Sequence, residues 1–307
     1  SPNVAMTLAT HIRGCGRRLS RDERRNWRVQ RYVLLVAHAL PGRLPCSGVT
    51  TGSSNEAGAA DPLAPLSGLP GVAQAGDEAR EALGRAHRHR TNLRGWPKTA
   101  AEASLRAARA SSVLDGGPLQ FSADGADDAR SDPVLAGALR VAEALEGGEG
   151  PLIGVWRRAP LQAIARLHAL AAADLADGDA LGRPRSDGQV GRRLELLADV
   201  VTASRVPATV LAGVVHGELL TLEPFGTADG VVARGVSRLV TIASGLDPHG
   251  LGVPEVHWMR RSGDYRAAAR GFASGTPEGL AVWLVLSSEA LHAGAREALT
   301  IAQSTSS

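Results

Sequence analysis

The strongest constraint in this sequence is a pair of apolar helical patterns in residues 214–244, separated by a sharp break. The first pattern ends at Glu223-Pro224, because proline lacks an amide and restricts the residue before it. The run Gly226-Thr-Ala-Asp-Gly230 then has the composition of a tight loop, in which Asp229 is a natural N-cap. A second helical pattern follows directly. A tight loop that leads into a helix start favours anion binding, because it presents unpaired backbone amides.

Composition favours an all-α fold. The chain has 307 residues, enough for one large or two small domains with a sizeable core. Aromatic residues make up only 3% of it, so the core depends on Leu, Val, Ala and Ile, which suit close helix packing. The two cysteines, Cys15 and Cys46, exclude a disulfide scaffold. No apolar run reaches about eighteen residues, so we expect no membrane span and a cytoplasmic, bacterial protein.

The net charge of +3 is unevenly distributed. Residues 1–60 contain nine arginines and three acidic residues, which is +6 and leaves −3 for residues 61–307. Nucleic-acid-binding domains present a basic face to phosphates, so we expect no nucleic-acid partner. The acidic run of residues 121–132 lacks the spacing of an EF-hand, and no metal-binding residues are predicted.

The chain divides into three parts. Residues 1–60 are predicted to be a disordered basic extension, with a signal peptide or a basic amphipathic membrane or partner helix at Asp22–Leu40 as alternatives. Residues 61–99 are predicted to form a lead-in helix and linker, and residues 100–302 a helical domain. Within these parts the helices are predicted at residues 77–89, 100–114, 133–146, 160–174, 194–204, 207–222, 231–244, 265–274 and 277–302. Residues 177–191 are predicted as a loop and residues 247–255 as a linker. Trp258, Tyr265 and Trp283 are predicted to be packing residues.

The loop after Leu222 resembles the signature of the Fido (Fic/Doc) family. In that family a helix ends in His-Pro-Phe, and a short loop carries an acidic residue and Gly-Asn-Gly-Arg, with a second arginine three positions on. Glu223 stands at the family's catalytic histidine, and Pro224-Phe225 match its Pro-Phe. The remaining correspondences are Thr227 at the acidic metal ligand, Ala228 and Asp229 at Gly-Asn, Gly230 at the second glycine, Val231 at the first arginine, Arg234 at the second, and His216 at a histidine of the preceding helix.

Three further segments resemble the family in the expected order. Ser111, Asp115 and Gly116 are similar to its inhibitory helix motif, with Asp in place of Glu. Residues 160–172 resemble the helix that precedes the flap, and residues 182–185 resemble a short Gly and Arg signature beside it. The resemblance covers residues 100–300 and implies an all-α Fido-type helical bundle with a reduced flap.

The family transfers AMP from ATP to a hydroxyl of a target protein, with magnesium on the phosphates. A glutamate, with an ordinary pKa of about 4.3, is a poorer base near neutrality than an imidazole of about 6.5. Glu223 and Asp229 also add negative charge beside a phosphate site, and Val231 removes an arginine. In the family the inhibitory acid pairs with the second arginine. The resemblance therefore implies that a pair of Asp115 and Arg234 would fill the outer-phosphate site.

Three functions remain open from the sequence. The first is a pseudoenzyme that has lost ordinary AMP transfer and binds a protein target or a small ligand in the groove beside residues 223–234. The second is an active nucleotidyl or phosphate transferase that uses Glu223 as base and Asp229, Gly230 and Arg234 for the anion, with ATP and Mg as cofactors. The third is an unrelated helical protein with a chance motif match. The sequence gives no oligomeric state.

Overall fold

The computed structural model describes residues 61–119, 132–148 and 150–305. These residues form twelve α-helices and two 3₁₀ turns, with no β-strand among them, so the predicted all-α fold is confirmed. The helices are α1 (Ala64–Ser67), α2 (Val72–His87), α3 (Arg90–Leu114), α4 (Pro133–Leu145), α5 (Pro151–Arg158), α6 (Pro160–Ala171), α7 (Gly188–Ala203), α8 (Ala208–Leu222), α9 (Asp229–Ala243), α10 (Pro254–Arg260), α11 (Ser262–Ser274) and α12 (Pro277–Thr305). The predicted extension at residues 1–60 lies outside the described residues.

Helices α8 and α9 pack against each other at the centre of the fold. Helix α8 is apolar around most of its circumference, as expected of a helix surrounded by other helices. Gly213 and Gly217 let α11 and α12 approach it closely: a Cβ at Gly217 would lie 2.7 Å from Nε1 of Trp283. The two helices predicted on either side of the break are therefore neighbouring central elements.

Two hydrophobic clusters flank this pair. Helices α4, α5 and α6 cover α9, with a core of Leu, Val, Ala and Ile. Helices α10, α11 and α12 pack on the side of α8 and bury most of the large aromatic residues. Trp258, Tyr265 and Trp283 are 2%, 3% and 0% exposed, which confirms that they are packing residues.

Helix α3 carries Ser111 and Asp115 to the start of α9. It ends at a turn in which Gly116 adopts φ of 95°, and the amide of Gly117 donates to the carbonyl of Ser112 at 2.9 Å. Glycine adopts this conformation without the steric cost that a Cβ imposes. The turn places the Asp115 side chain against α9.

Several helix bounds differ from those predicted. Helix α3 begins at Arg90 instead of residue 100, and α7 begins at Gly188 inside the predicted loop, because Asp187 accepts from the amide of Gln189 at 2.7 Å and caps it. Helices α5 and α10 were not predicted, and α10 takes up the end of the predicted linker at residues 247–255. Both begin with proline in the first turn, where its missing amide has no intrahelical partner to lose.

The chain between α6 and α7, at the position of the flap, contains one 3₁₀ turn at Gly178–Ala180 and no hairpin. The expectation of a reduced flap fits this segment. Helix α3 runs through residues 99 and 100, where we predicted the lead-in segment to end, and α2 packs along α12. The division into a lead-in segment and a domain stays a prediction. None of the described helices combines the length and apolar character needed to cross a membrane.

Candidate functional site

The break after α8 forms a tight loop that is anchored in the protein. Glu223 adopts a left-handed conformation, with φ of 47° and ψ of 58°, and so turns the chain at the end of α8. The Phe225 side chain is buried, and its ring stacks on that of His168 with centroids 3.9 Å apart and planes 6° apart. Ala228 is also left-handed, with φ of 53°, and leads into α9. The Pro-Phe pair thus fixes the loop on α6.

Asp229 binds the loop amides instead of capping α9. The prediction that it is the N-cap is wrong, because Ala228 has that position and Asp229 is the first residue of α9. The Asp229 carboxylate accepts from the amides of Phe225 at 2.9 Å and Gly226 at 2.7 Å. The pKa of Asp229 is raised to about 6, mainly by burial and also by the charge of Glu223. The two amide bonds act in the opposite direction and lower the pKa. The amides of Phe225 and Gly226 are therefore bound by the protein's own carboxylate.

Arg185 connects the segment before α7 to the end of α8. Its backbone amide donates to the carbonyl of Pro224 at 2.8 Å, its Nε to that of Glu223 at 2.9 Å, and its Nη2 to that of Leu222 at 3.0 Å. The last carbonyls of a helix lack intrahelical partners and lie at the negative end of its dipole, so a guanidinium is favoured there. Residues 182–185 were noted in the sequence, but the spacing gave no partner for Arg185.

His168 connects the same segment to the loop. Its Nδ1 accepts from the amide of Gly182 at 2.9 Å, and its Nε2 lies 3.2 Å from Oγ1 of Thr227. Burial lowers the pKa of His168, so the ring is neutral, with its proton on Nε2 and directed at Thr227. Thr227 offers a neutral hydroxyl that is already hydrogen-bonded.

Arg234 is 1% exposed, and all three of its guanidinium nitrogens donate within the protein. Nε donates to Oγ of Ser111 at 2.8 Å, and Nη2 donates to the Ser111 carbonyl at 2.9 Å and to Oδ1 of Asp115 at 2.8 Å. Nη1 lies 3.4 Å from the hydroxyl of Tyr265. Burial lowers the pKa of the Arg234 guanidinium, but its interactions with Asp115 and Tyr265 together have the larger effect, so the pKa is raised overall. Arg234 therefore stays charged and is bound by α3.

The Asp115 carboxylate covers Gly230 at the start of α9. A Cβ placed on Gly230 would lie 2.3 Å from Oδ1 and 2.6 Å from Oδ2 of Asp115, closer than nonbonded atoms approach. Only glycine leaves room for the acid in this position. Asp115 pairs with Arg234, as the resemblance implied, and Ser111 and Gly230 lie at the same place.

A buried hydrogen-bond chain continues from Arg234 into the aromatic cluster. The hydroxyl of Tyr265 lies 2.8 Å from Nε2 of His216, which is fully buried among the rings of Trp258 and Trp283. Burial raises the pKa of Tyr265 to about 12, and burial together with Arg234 holds the pKa of His216 well below its ordinary value. Both side chains are therefore uncharged. Tyr265 was predicted only as a packing residue, and its link to Arg234 had no sequence signal.

Glu223 is separate from this closed network. Its side chain is exposed at the outer end of the loop, beside exposed Gly226 and Arg185, whereas Arg234 lies in the interior. Among the described residues no three His, Cys, Asp or Glu side chains come close enough to bind one metal ion. The site therefore has an exposed half around Glu223 and a closed half around Arg234.

Comparison with known proteins identifies the fold. The sequence matches no family model and no curated protein. The structure is similar to the crystal structure of a Fic family protein from Desulfovibrio desulfuricans G20, determined at 2.70 Å resolution. The TM-score is 0.61 and the sequence identity 19%, over 75% of this chain and 74% of that protein. The chain therefore has a Fic-type fold.

Proposed function

We propose that this protein is a binding pseudoenzyme on a Fic-type fold, in which the phosphate-binding half of the site is closed by its own side chains. The single observation that supports this most strongly is the state of Arg234. Its guanidinium is buried and bound to Ser111 and Asp115, so a phosphate would have to displace an ion pair at 2.8 Å and enter the interior. Such a phosphate would compete with a carboxylate that is already in place, and Asp115 would lose the cation that compensates its charge.

The residues present do not fit ATP with magnesium. A magnesium ion in such sites is bound by carboxylates, but Thr227 is neutral and the Asp229 carboxylate is bound to two loop amides. The place of one arginine is taken by Val231, which is buried. Asp115 covers Gly230, so an incoming phosphate would meet a carboxylate there. Each of these features opposes the binding of a polyanion.

The exposed half of the site is the surface that we assign to a protein partner. Glu223, Gly226 and Arg185 are exposed side by side, and the hydrogen bonds of Arg185 to the end of α8 hold this surface in one shape. A preorganised surface binds with less loss of conformational entropy than a mobile loop.

A second candidate function is a non-standard transferase that modifies a protein hydroxyl with Glu223 as base. The left-handed backbone of Glu223 favours it, since a non-glycine residue with positive φ carries strain of about 1–3 kcal/mol, and such strain clusters at functional sites. Exposure of the side chain leaves it accessible to a hydroxyl substrate.

Isothermal titration calorimetry of the full chain with ATP and Mg²⁺ distinguishes the two. For a pseudoenzyme we expect no heat of binding at ligand concentrations up to about 1 mM, which corresponds to less than about 4 kcal/mol of binding free energy. A saturable signal, together with transfer of labelled AMP or phosphate to protein that Glu223→Gln abolishes, would establish the transferase instead. Glu81→Gln, which neutralises an exposed glutamate on α2, is the control for nonspecific effects of losing a carboxylate.

A further inference from the structure

A large apolar groove lies on the face of the protein formed by α11, α12 and the chain before α2. Its volume is about 880 Å³. The groove exists because Gly271 and Gly279 meet backbone to backbone: a Cβ on Gly279 would lie 2.2 Å from the carbonyl oxygen of Gly271. Small residues therefore form the floor. Val282 in this groove is 58% exposed, one of the few large hydrophobic side chains that the described structure leaves open to solvent.

The rim of the groove is acidic. Asp264, Glu278 and Glu289 line it together with one cation, Arg261, which gives a net charge of −2. Arg261 is neutralised locally, since its Nε lies 2.9 Å from Asp264 and its Nη1 lies 3.5 Å from Glu289. An apolar trough with an acidic rim fits a segment that combines apolar residues with arginines.

We propose that this groove binds the basic segment Asp22–Leu40 of the same chain. That segment, which lies outside the described residues, has the matching chemistry. Its apolar residues are Trp27, Val29, Tyr32 and the run Val33–Val36. Its four arginines, Arg24, Arg25, Arg28 and Arg31, outnumber Asp22 and Glu23, so its net charge is +2, opposite to the −2 of the rim. Bound in the groove, its apolar residues would cover Val282 and its arginines would face the acidic rim.

The connection between the segment and the groove is long enough. Residues 41–60 separate Leu40 from the first described residue, and twenty residues span up to about 65 Å when extended, at about 3.3 Å per residue. A domain of this size has a radius of gyration of about 18 Å, so its whole surface is within reach. The chain also passes the groove only nine residues after it enters the described structure, because Pro70 lines the rim.

Amide hydrogen exchange of the full chain, followed by mass spectrometry, tests this proposal. We expect peptides from residues 22–40 to exchange at least about tenfold more slowly than their intrinsic rates at neutral pH. The variant Val282→Glu should remove this protection, because it places a charge in the trough at a position that is already exposed and so leaves the fold intact. The matched control is Leu93→Glu, which changes a residue that is 65% exposed on α3 and should leave the protection unchanged.

Four outcomes would overturn the proposal. The first is unprotected exchange of residues 22–40 in the unmodified chain, and the second is protection that persists in Val282→Glu. The third is protection that increases with protein concentration, which indicates a second copy in the groove. The fourth is protection that appears only with vesicles of phosphatidylcholine and phosphatidylserine, which indicates a membrane surface. Protection that is independent of concentration, lost in Val282→Glu and retained in Leu93→Glu supports it.

Discussion

Asp115 and Arg234 are the residues whose pairing matters most for the closed half of the site. Replacing Asp115 with Ala leaves a guanidinium that is 1% exposed without its counter-charge, although Ser111 and Tyr265 still accept from it. We expect the free energy of unfolding to fall by about 1–3 kcal/mol. We also expect the binding of inorganic pyrophosphate to become measurable, because the acid that covers Gly230 is gone. Urea denaturation and calorimetry measure the two effects.

Asp77→Ala is the matched control for this change. Asp77 forms an ion pair with Arg80 at 3.2 Å in which both side chains are more than half exposed, so its loss should change stability by no more than about 0.5 kcal/mol. An Asp115→Ala protein with unchanged stability and no affinity for pyrophosphate would show that the pair does not close the site.

Asp229 gives the site a pH dependence. Its pKa in the folded protein, about 6, lies above the ordinary value of about 3.9 for an aspartate. The folded state therefore binds this proton more tightly than the unfolded state. The contribution of Asp229 to stability is fully present below pH of about 4 and is lost as the pH rises through 6. For Asp229→Asn we expect the free energy of unfolding, relative to the unmodified protein, to rise by about 2 kcal/mol between pH 4 and pH 7.

Denaturation curves at several pH values give the free energy of unfolding of both proteins. Because the other carboxylates are the same in both, their titration cancels in the difference between the two free energies. Glu223 and Arg185 are the charged groups that act on Asp229, in opposite directions. A difference for Asp229→Asn that does not vary with pH would mean that burial does not control this carboxylate.

The packing of helix α8 depends on its glycines. A Cβ at Gly217 would lie 2.7 Å from Nε1 of Trp283 and 2.9 Å from the ring of Phe272, and both rings are buried. We expect Gly217→Ala to lower the free energy of unfolding by about 1–3 kcal/mol, because the core has no space for the added methyl group. Thermal denaturation followed by circular dichroism measures the loss.

Gly191→Ala on α7 provides the contrast. A Cβ there meets no atom within 4 Å, and alanine favours a helix over glycine, so we expect stability to rise by up to about 1 kcal/mol. If the two substitutions have the same effect, helix propensity and not packing determines the result at Gly217.

Helices were predictable where an apolar face repeats at helical spacing. The break at Glu223-Pro224 was placed correctly, since α8 ends at Leu222. The starts of α5, α7 and α10 were not predicted correctly, because proline and glycine were interpreted as signs of loops. Proline and glycine are tolerated in the first turn of a helix. Asp187 caps α7, so this helix begins inside the segment that we predicted as a loop.

At the scale of the whole molecule, the fold followed from an ordered series of motifs, but the state of the site did not. Arg234 is 123 residues from Ser111 and 31 from Tyr265, and no spacing along the chain reveals which of the neighbouring atoms its guanidinium binds. The direction of the Asp229 side chain depends on two backbone angles at Ala228, which a sequence pattern does not give. The family resemblance suggested the pairing of Asp115 with Arg234, and only the packing of α3 on α9 brings it about.

The burial of Arg234 also limits how this protein can diverge. Loss of Asp115 alone leaves the buried Arg234 guanidinium without its counter-charge. Loss of Arg234 alone leaves the Asp115 carboxylate over Gly230 without a cation. Exchanging both for well-fitting apolar side chains is close to neutral in stability. We therefore expect positions 115 and 234 to vary together among related sequences. A sequence that keeps both Asp115 and Arg234 is then expected to keep the closed half of the site.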